Sequence, residues 1–478
     1  MARIDVKALS EKEIQTIHDT TQSILRHTGV MVNHDAVLKR LDGAGARVDY
    51  QRKTARFPEN LVMDSIQSAG KKYTLYGRDR DLLARFGWGE LVMMSTPGQF
   101  GWVDHRTNGL RRATGQDTRD AIRLGDALQN ITIVGAMAQP AEILESYREV
   151  WLTGELVKGT GKPTRTWVYN GKTARYVLDI YRTVAGGEAA LREYPMVEAF
   201  LEPISPLQLS EEGLDVLIEL VGAGQPVSVG PMAMTSGTAP ATLAGTMAQE
   251  NAEILAGIVV SQVLAPGTPV TYGGIPHIMD PRTSICSFGS PEQLLMAVAM
   301  VQLGQFYGFP VYINVGLTDA KIVDAQAGIE KGTTLMLGVL AGADTFGHAG
   351  ICGADHGASL AWLVLDNELM EYVKRVAKGF EVTEETLASD VVHAVGPRGS
   401  YLAEDHTVEH FRKEIWLPGS VWTRQTWDLW SEEGRQSMAD RVRDEVEHVL
   451  ATRAVTPLEG ALAREVDLIV ECAKRELG

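Results

Sequence analysis

Between residues 91 and 377 the chain repeats one pattern eight times: a short apolar run, a loop of small residues, then a longer helical segment. The apolar runs fall at 91–96, 131–136, 165–170, 197–203, 226–230, 269–273, 311–316 and 344–349. The helical segments fall at 117–128, 143–157, 174–184, 211–221, 242–264, 291–307, 324–340 and 359–377. Runs that are continuously apolar, rather than alternating, belong to strands covered on both faces, the habit of parallel sheets. Eight such units in succession predict an α/β fold of the (β/α)8 TIM barrel type. A doubly wound open sheet does not require eight units, and no GxGxxG follows the first strand.

The fifth unit is the most distinctive. Val227 and Val229 run into GPMAMTSGTAP, a helix spans 242–264, Pro266 and Gly267 stop it, and the next strand reaches Tyr272. Before the barrel, residues 1–88 read as an N-terminal helical cap with a little sheet. Ser10 and Glu13 form a capping box, and the first helix runs to Gly29. A second helix ends at Gly43, residues 46–57 form a hairpin, and Pro58 starts a third helix. Residues 89–379 are the barrel. Residues 380–478 form a C-terminal helical extension holding Trp416, Trp422, Trp427 and Trp430, then amphipathic helices at 432–452 and 458–477. This extension packs on the barrel or forms a homo-oligomer contact.

A formal charge of −16 argues against nucleic-acid partners and anionic membranes, both of which reward Lys/Arg surfaces. Three cysteines (Cys286, Cys352, Cys472) with no CxxC pair fit a reducing compartment. The N-terminus lacks a signal-peptide apolar run, and no segment is long and apolar enough to span a bilayer, so the expected location is cytoplasmic.

A barrel of this kind places its chemistry at the C-terminal ends of the strands. Those ends carry Ser95, Gln99, Phe100 and Trp102; Gln139; Trp167, Tyr169 and Asn170; Glu202; Met232 and Met234. The later ones carry Tyr272 and His277; Tyr312, Asn314, Thr318 and Asp319; Phe346, His348 and Cys352. The inventory is rich in aromatics and poor in Lys and Arg, which suits a cation held by π faces beside a carboxylate such as Glu202 or Asp319. Alternate strand residues point outward, so about half of these side chains are core. His348, Cys352, Asp355 and His356 form the one ligand-like cluster, the basis for an alternative zinc-dependent methyltransferase or hydrolase. Nothing supplies a further ligand at an established spacing, and the expectation is no metal in this chain. Phosphate-loop, HExxH, GxSxG and DxHxxG patterns are absent.

Residues 230–273 resemble the trimethylamine methyltransferase family of corrinoid-dependent methyltransferases. The likeness continues through ILRHTGV (24–30), LTDAKIVDAQAGIEKG (317–332), LVLDNEL (363–369) and HTVEHFRKEIWLP (406–418). It implies a barrel enzyme. The family's founding members carry pyrrolysine and act on trimethylamine, whereas this chain has only the twenty standard residues. It is similar to the pyrrolysine-free branch, which demethylates quaternary amines such as glycine betaine, proline betaine or carnitine. The resemblance implies methyl transfer from a quaternary amine, with glycine betaine yielding dimethylglycine as the leading case. The acceptor would be Co(I) cobalamin, a corrinoid carried by a separate protein, because the cobalt-ligand pattern DxHxxG is missing here. Expected substrate-binding residues are His348, Phe346, Tyr272, Trp167, Tyr169, Asn314, Glu202 and Asp319, with Met232, Met234 and Gln99 facing the corrinoid. No residue is singled out as the catalytic one. A betaine-binding protein without turnover is the remaining alternative.

Overall fold

The computed structural model describes residues 3–478. Eight parallel-type strands alternate with eight long helices. The strands are β1 Val92–Ser95, β2 Val134–Gly135, β3 Thr164–Arg165, β4 Ala199–Leu201, β5 Val227–Val229, β6 Val270–Gly274, β7 Val311–Ile313 and β8 Thr345–Ala349. The helices that follow them are α1 Gly115–Ala127, α2 Arg148–Gly159, α3 Gly171–Ala185, α4 Glu211–Gly222, α5 Leu243–Leu264, α6 Pro291–Phe306, α7 Ala325–Leu340 and α8 Leu360–Lys378.

Six of the strands form one parallel sheet in the order β4-β5-β6-β7-β8-β1. β2 and β3 form a separate parallel pair, attached to β1 through the Met94–Ile133 bridge. Among the described residues no ladder joins β3 to β4, so the hydrogen-bonded ring expected from eight units is interrupted at that one seam. Side chains span it instead. Arg165 Nη1 lies 3.1 Å from Glu198 Oε2, and its guanidinium sits 4.8 Å from the Phe200 ring centroid. The expected strand at 165–170 is cut short because Asn170 turns to cap α3, its side chain accepting from Thr173 N.

Two apolar layers follow from this arrangement. Val92, Met94, Ile133, Ile275 and Tyr312 meet inside the strands. The hairpin Tyr73–Tyr76/Leu83–Phe86 joins them through Tyr73, Leu75, Ala84 and Phe86. Tyr73 reaches Thr271 Oγ1 at 2.6 Å and donates to Glu198, so this hairpin floors the N-terminal end of the sheet. The larger outer layer lies between strands and helices.

α5 is buried around almost its whole circumference, polar residues included. The reason lies in the N-terminal segment. Helices Glu11–Ser23, Asp35–Gly43 and Glu59–Ser68 cover α5, and Asn251 Nδ2 donates to Thr21 Oγ1 at 2.9 Å. Gly29, at φ 76°, ends the first helix through a π-turn over Ile24–Thr28, and the hairpin Arg47–Asp49/Thr54–Arg56 follows. No described helix is long and apolar enough to cross a membrane.

Candidate active site

The loops leaving the C-terminal strand ends build small sheets of their own. The hairpin Gly101–Val103/Leu110–Arg112 joins the hairpin Ile351–Cys352/Gly357–Ala358 through an Ala358–Trp102 bridge. Across from them, Met234–Thr235, His277–Met279 and Cys286–Ser287 form a three-stranded sheet. Buried charges on the outer helices pin these loops. Glu250 of α5 accepts from Ile275 N at 2.6 Å and Ala233 N at 3.2 Å, holding the loops after β6 and β5. Glu253, one turn on, accepts from Leu207 N and Ser205 Oγ after β4. Lys331 of α7 and Asp366 of α8 pair at 2.9 Å, fully buried. Lys331 also donates to Gly316 O, and Asp366 accepts from Gly350 N at 2.7 Å, fixing the loops after β7 and β8. Unpaired backbone N–H and C=O groups in a dry interior are costly, and these side chains satisfy them.

Within this frame an aromatic cluster sits at the upper end of the strands. Trp167 lies 5.6 Å from Phe200 and 5.7 Å from His348, both edge-on, and Phe200 lies 6.2 Å from Tyr312. Tyr312 Oη is 3.3 Å from His348 Nε2 and donates to Asn314 Oδ1 at 3.3 Å. His348 takes φ 68°, a left-handed conformation that turns its ring inward at the end of β8. Burial, then the nearby Arg165 charge and His277, push the His348 pKa down to about 3. His348 is therefore neutral at physiological pH.

Five buried polar atoms here lack a partner: His348 Nδ1, Asn314 Nδ2, Gln139 Nε2, His277 Nε2 and Nη2 of Arg165. Buried polar groups are almost always hydrogen-bonded, so these open positions are where ordered water or a ligand would complete the bonding. Two carboxylates complete the set. Asp355, in the hairpin turn after β8, accepts from Gln99 Nε2 at 2.6 Å. Burial and the Glu202 charge push its pKa up to about 7. Glu202 reaches solvent, yet desolvation by the surrounding protein raises its pKa too. A cation placed near both would relieve their repulsion.

Of the residues expected from the sequence, Trp167, His348, Asn314 and Glu202 belong to this group. Tyr169 stands half exposed at its edge, its pKa raised by burial and by the Glu149 and Glu202 carboxylates. Met232 packs between the inner cluster and Phe288, Leu317 and Ile351, and Gln99 holds Asp355. Met234 lies further out in the three-stranded loop sheet.

Tyr272 and Phe346 do not join the site. Both belong to the outer layer: Tyr272 donates to Asn251 Oδ1 of α5 at 2.9 Å, and Phe346 meets α7 at Gly338. A one-residue difference in register along β6 or β8 exchanges the two faces, so Thr271 and Gly347 face inward instead. Asp319, in the loop after β7, is committed to the loop after β6, accepting from Phe288 N and Ser287 Oγ. The His348–His356 cluster is dispersed by the hairpin: Cys352 Sγ lies against Gly357 O and His356 is exposed. Among the described residues, no three His, Cys, Asp or Glu side chains are placed to hold a metal ion. Phe200 and the Asp355–Gln99 contact are not evident from the sequence. For Phe200 the signal was available in the alternation Glu198-Phe200-Glu202, all facing inward.

The model of the family described as "Trimethylamine methyltransferase (MTTB)" matches residues 2–478. The chain belongs to the trimethylamine methyltransferase family. Within that family, trimethylamine methyltransferase MttB of Desulfitobacterium hafniense is 32% identical, covering 100% of this chain and 97% of its own. A glycine betaine methyltransferase of the same species is 30% identical, covering 98% of each. MttB of Methanosarcina barkeri is 30% identical over 99% of this chain and 96% of its own. Among solved structures, the monomethylamine methyltransferase MtmB of Methanosarcina barkeri has a TM-score of 0.52 at 14% identity. It covers 98% of this chain and 92% of that one, a likeness of fold. Two of the family-like stretches, 317–332 and 363–369, contain Lys331 and Asp366, the buried pair that pins the loops after β7 and β8.

Proposed function

We propose that this methyltransferase removes a methyl group from a quaternary amine, with glycine betaine the leading substrate, and delivers it to the Co(I) of a corrinoid on a separate protein. On this reading the eight strands close as a (β/α)8 barrel over 89–379, with 1–88 as cap and 380–478 as extension. The observation that carries the proposal is the aromatic set Trp167, Phe200 and Tyr312 beside the Glu202 and Asp355 carboxylates. Aromatic rings backed by carboxylates suit a quaternary ammonium stripped of water, and Phe200 already holds a cation in this way, the Arg165 guanidinium 4.8 Å from its centroid.

The open donors supply the other half of a betaine site. Asn314 Nδ2 and Gln139 Nε2, with neutral His348 beside them, suit a substrate carboxylate. With that group anchored inside, the methyl groups point toward the mouth. There the exposed Phe100, Leu110, Tyr169 and Ile322, carried on loops after β1, β3 and β7, suit the apolar face of a macrocycle. The reduced corrinoid, when docked, supplies the nucleophile. The C–N bond breaks with its electron pair left on nitrogen, so the leaving group is a neutral tertiary amine and no general acid is required. The chain's own residues then desolvate the cation and hold one methyl in line. This accords with a site whose one histidine beside the rings is neutral. Incubating the full chain with glycine betaine and reduced cobalamin tests the proposal by formation of dimethylglycine. Absence of demethylated product from glycine betaine, proline betaine and carnitine alike would overturn it.

A further inference from the structure

Three arginines of the N-terminal segment line one cavity of about 240 Å3, together with Pro58, Glu59 and Asn60. Arg26 sits in the π-turn Ile24–Thr28 that ends the first helix. Arg47 and Arg56 stand on the two strands of the hairpin Arg47–Asp49/Thr54–Arg56, directly opposite each other in its register. Like charges opposite one another across a strand pair are destabilising unless something neutralises them. Nothing in the described chain does. Among the described residues none of the three guanidiniums forms an ion pair, and their one side-chain hydrogen bond runs from Arg56 Nε to His27 O at 2.9 Å. Glu59, the single carboxylate on the cavity wall, is paired with none of them.

The rest of the chain makes this local pattern stand out. Its 61 acidic side chains outnumber its 45 lysines and arginines, and exposed arginines elsewhere take a carboxylate. Arg106, Arg111 and Arg175 each meet one at 2.7 Å. In the cavity the fold instead holds three forks together with their ends free. Arg56 is fixed at Nε, which leaves both of its Nη atoms open. Gly29 makes room for its stem, since a Cβ there would lie 2.8 Å from Arg56 Cγ. Helix Glu59–Ser68 starts after Pro58 with no side-chain cap, adding backbone donors to a wall whose charge comes from the arginines.

We propose that this cavity binds a phosphate group, free or carried by a small metabolite. Three guanidiniums against one carboxylate leave two positive charges, which a tetrahedral dianion balances and a carboxylate ligand would only halve. Guanidinium forks also match phosphate oxygens in pairs. A nucleic acid or an anionic membrane fits poorly, because the whole chain carries −16 and this positive charge is gathered in a cavity rather than spread over a face. The hairpin pairs with Val30–Val32, which pairs with Gln208–Leu209 after α3 and β4, so the site belongs to the cap and not to the cluster around His348. The inference is independent of the proposed reaction.

Isothermal titration calorimetry of the full chain in low-salt, phosphate-free buffer tests it, with inorganic phosphate and glycerol 3-phosphate as probes and acetate as the monoanion control. The expected result is one saturable site per chain for a phosphate probe and none for acetate. Tighter binding of glycerol 3-phosphate assigns the site to a phosphorylated metabolite, and tighter binding of inorganic phosphate to the free ion. R47Q and R56Q should each weaken binding about tenfold or more, as loss of a charge-assisted fork does. R52Q, in the exposed turn of the same hairpin and outside the cavity, should leave it unchanged. Thermal unfolding supplies a second readout. Without phosphate R47Q should melt no lower than the parent, because it removes the Arg47–Arg56 repulsion, whereas with phosphate the parent should melt higher. Absence of saturable phosphate binding to the parent would overturn the proposal, as would equal weakening by R52Q or parental binding by both R47Q and R56Q.

Discussion

Replacing Asp355 by Asn removes one negative charge from the mouth while keeping the acceptor that Gln99 Nε2 now meets at 2.6 Å. A quaternary nitrogen held about 5 Å from that carboxylate, at an effective dielectric near 20, is attracted by about 3 kcal/mol. Asp355 is partly exposed, and screening by water at the mouth reduces that figure by about half. The substitution should therefore cost about 1.5 kcal/mol, roughly tenfold in kcat/KM, at a pH where the parent carboxylate is ionised. The sign with pH follows from the raised pKa of about 7, set by burial and then by Glu202. Below it the carboxyl is neutral and offers the cation nothing; above it the charge is present. For the parent, kcat/KM for glycine betaine should climb from about pH 6 to about pH 8 and then level off. For D355N that climb should largely disappear. Dimethylglycine formation with saturating reduced corrinoid, measured across this range, decides the matter. A D355N enzyme within twofold of the parent at about pH 8, or a parent profile flat across neutrality, would refute the role given to Asp355.

Three further outcomes follow from the geometry. Trp167→Leu should raise KM for the cation about 5- to 30-fold, from loss of about 1–2 kcal/mol of cation–π attraction, with thermal stability little changed. Lys331→Met should lower unfolding free energy by about 3–5 kcal/mol in urea titration, because Asp366 is left buried without its partner. The double replacement K331M/D366L should recover part of that loss. Tyr272→Phe should cost about 1 kcal/mol through the lost bond to Asn251 Oδ1 while leaving KM unchanged, as befits an outward-facing side chain.

The order of elements was legible because each depends on local pattern. All eight strand positions and all eight long helices recur in the structure, and the capping box at Ser10 stands where the chain enters its first helix. Facing was less legible. A strand apolar on both sides gives no period-two signal, so nothing local distinguishes Tyr272, which turns out toward α5, from Tyr312, which turns in toward His348. The rim was not legible at all. Its two loop sheets come from Gly-rich segments whose pairing is between distant parts of the chain, as with Trp102 and Ala358. The interruption between β3 and β4 is another long-range matter, decided by how Arg165 and Glu198 meet across it.

That contrast explains why the stretches that mark the family are poor guides to its chemistry. In 230–273 the buried Glu250 and Glu253 of α5 tie down three loops, and in 317–332 and 363–369 Lys331 and Asp366 tie down two more. Each clamp needs an ionisable side chain at a set place on an otherwise apolar helix, which leaves a long and distinctive sequence imprint. The residues proposed to meet the substrate need no such neighbourhood: Trp167, Phe200, Tyr312, Asn314 and His348 are single side chains from four different strand-end regions. Met232 and the backbone N–H of Ala233 show the two levels meeting, one side chain at the inner cluster and its neighbour held by Glu250 from behind. On the proposed reading, a different substrate calls for new side chains at the ends of β3, β4, β7 and β8, while the clamps on α5, α7 and α8 stay as they are, so substrate choice and loop support are separable in this chain.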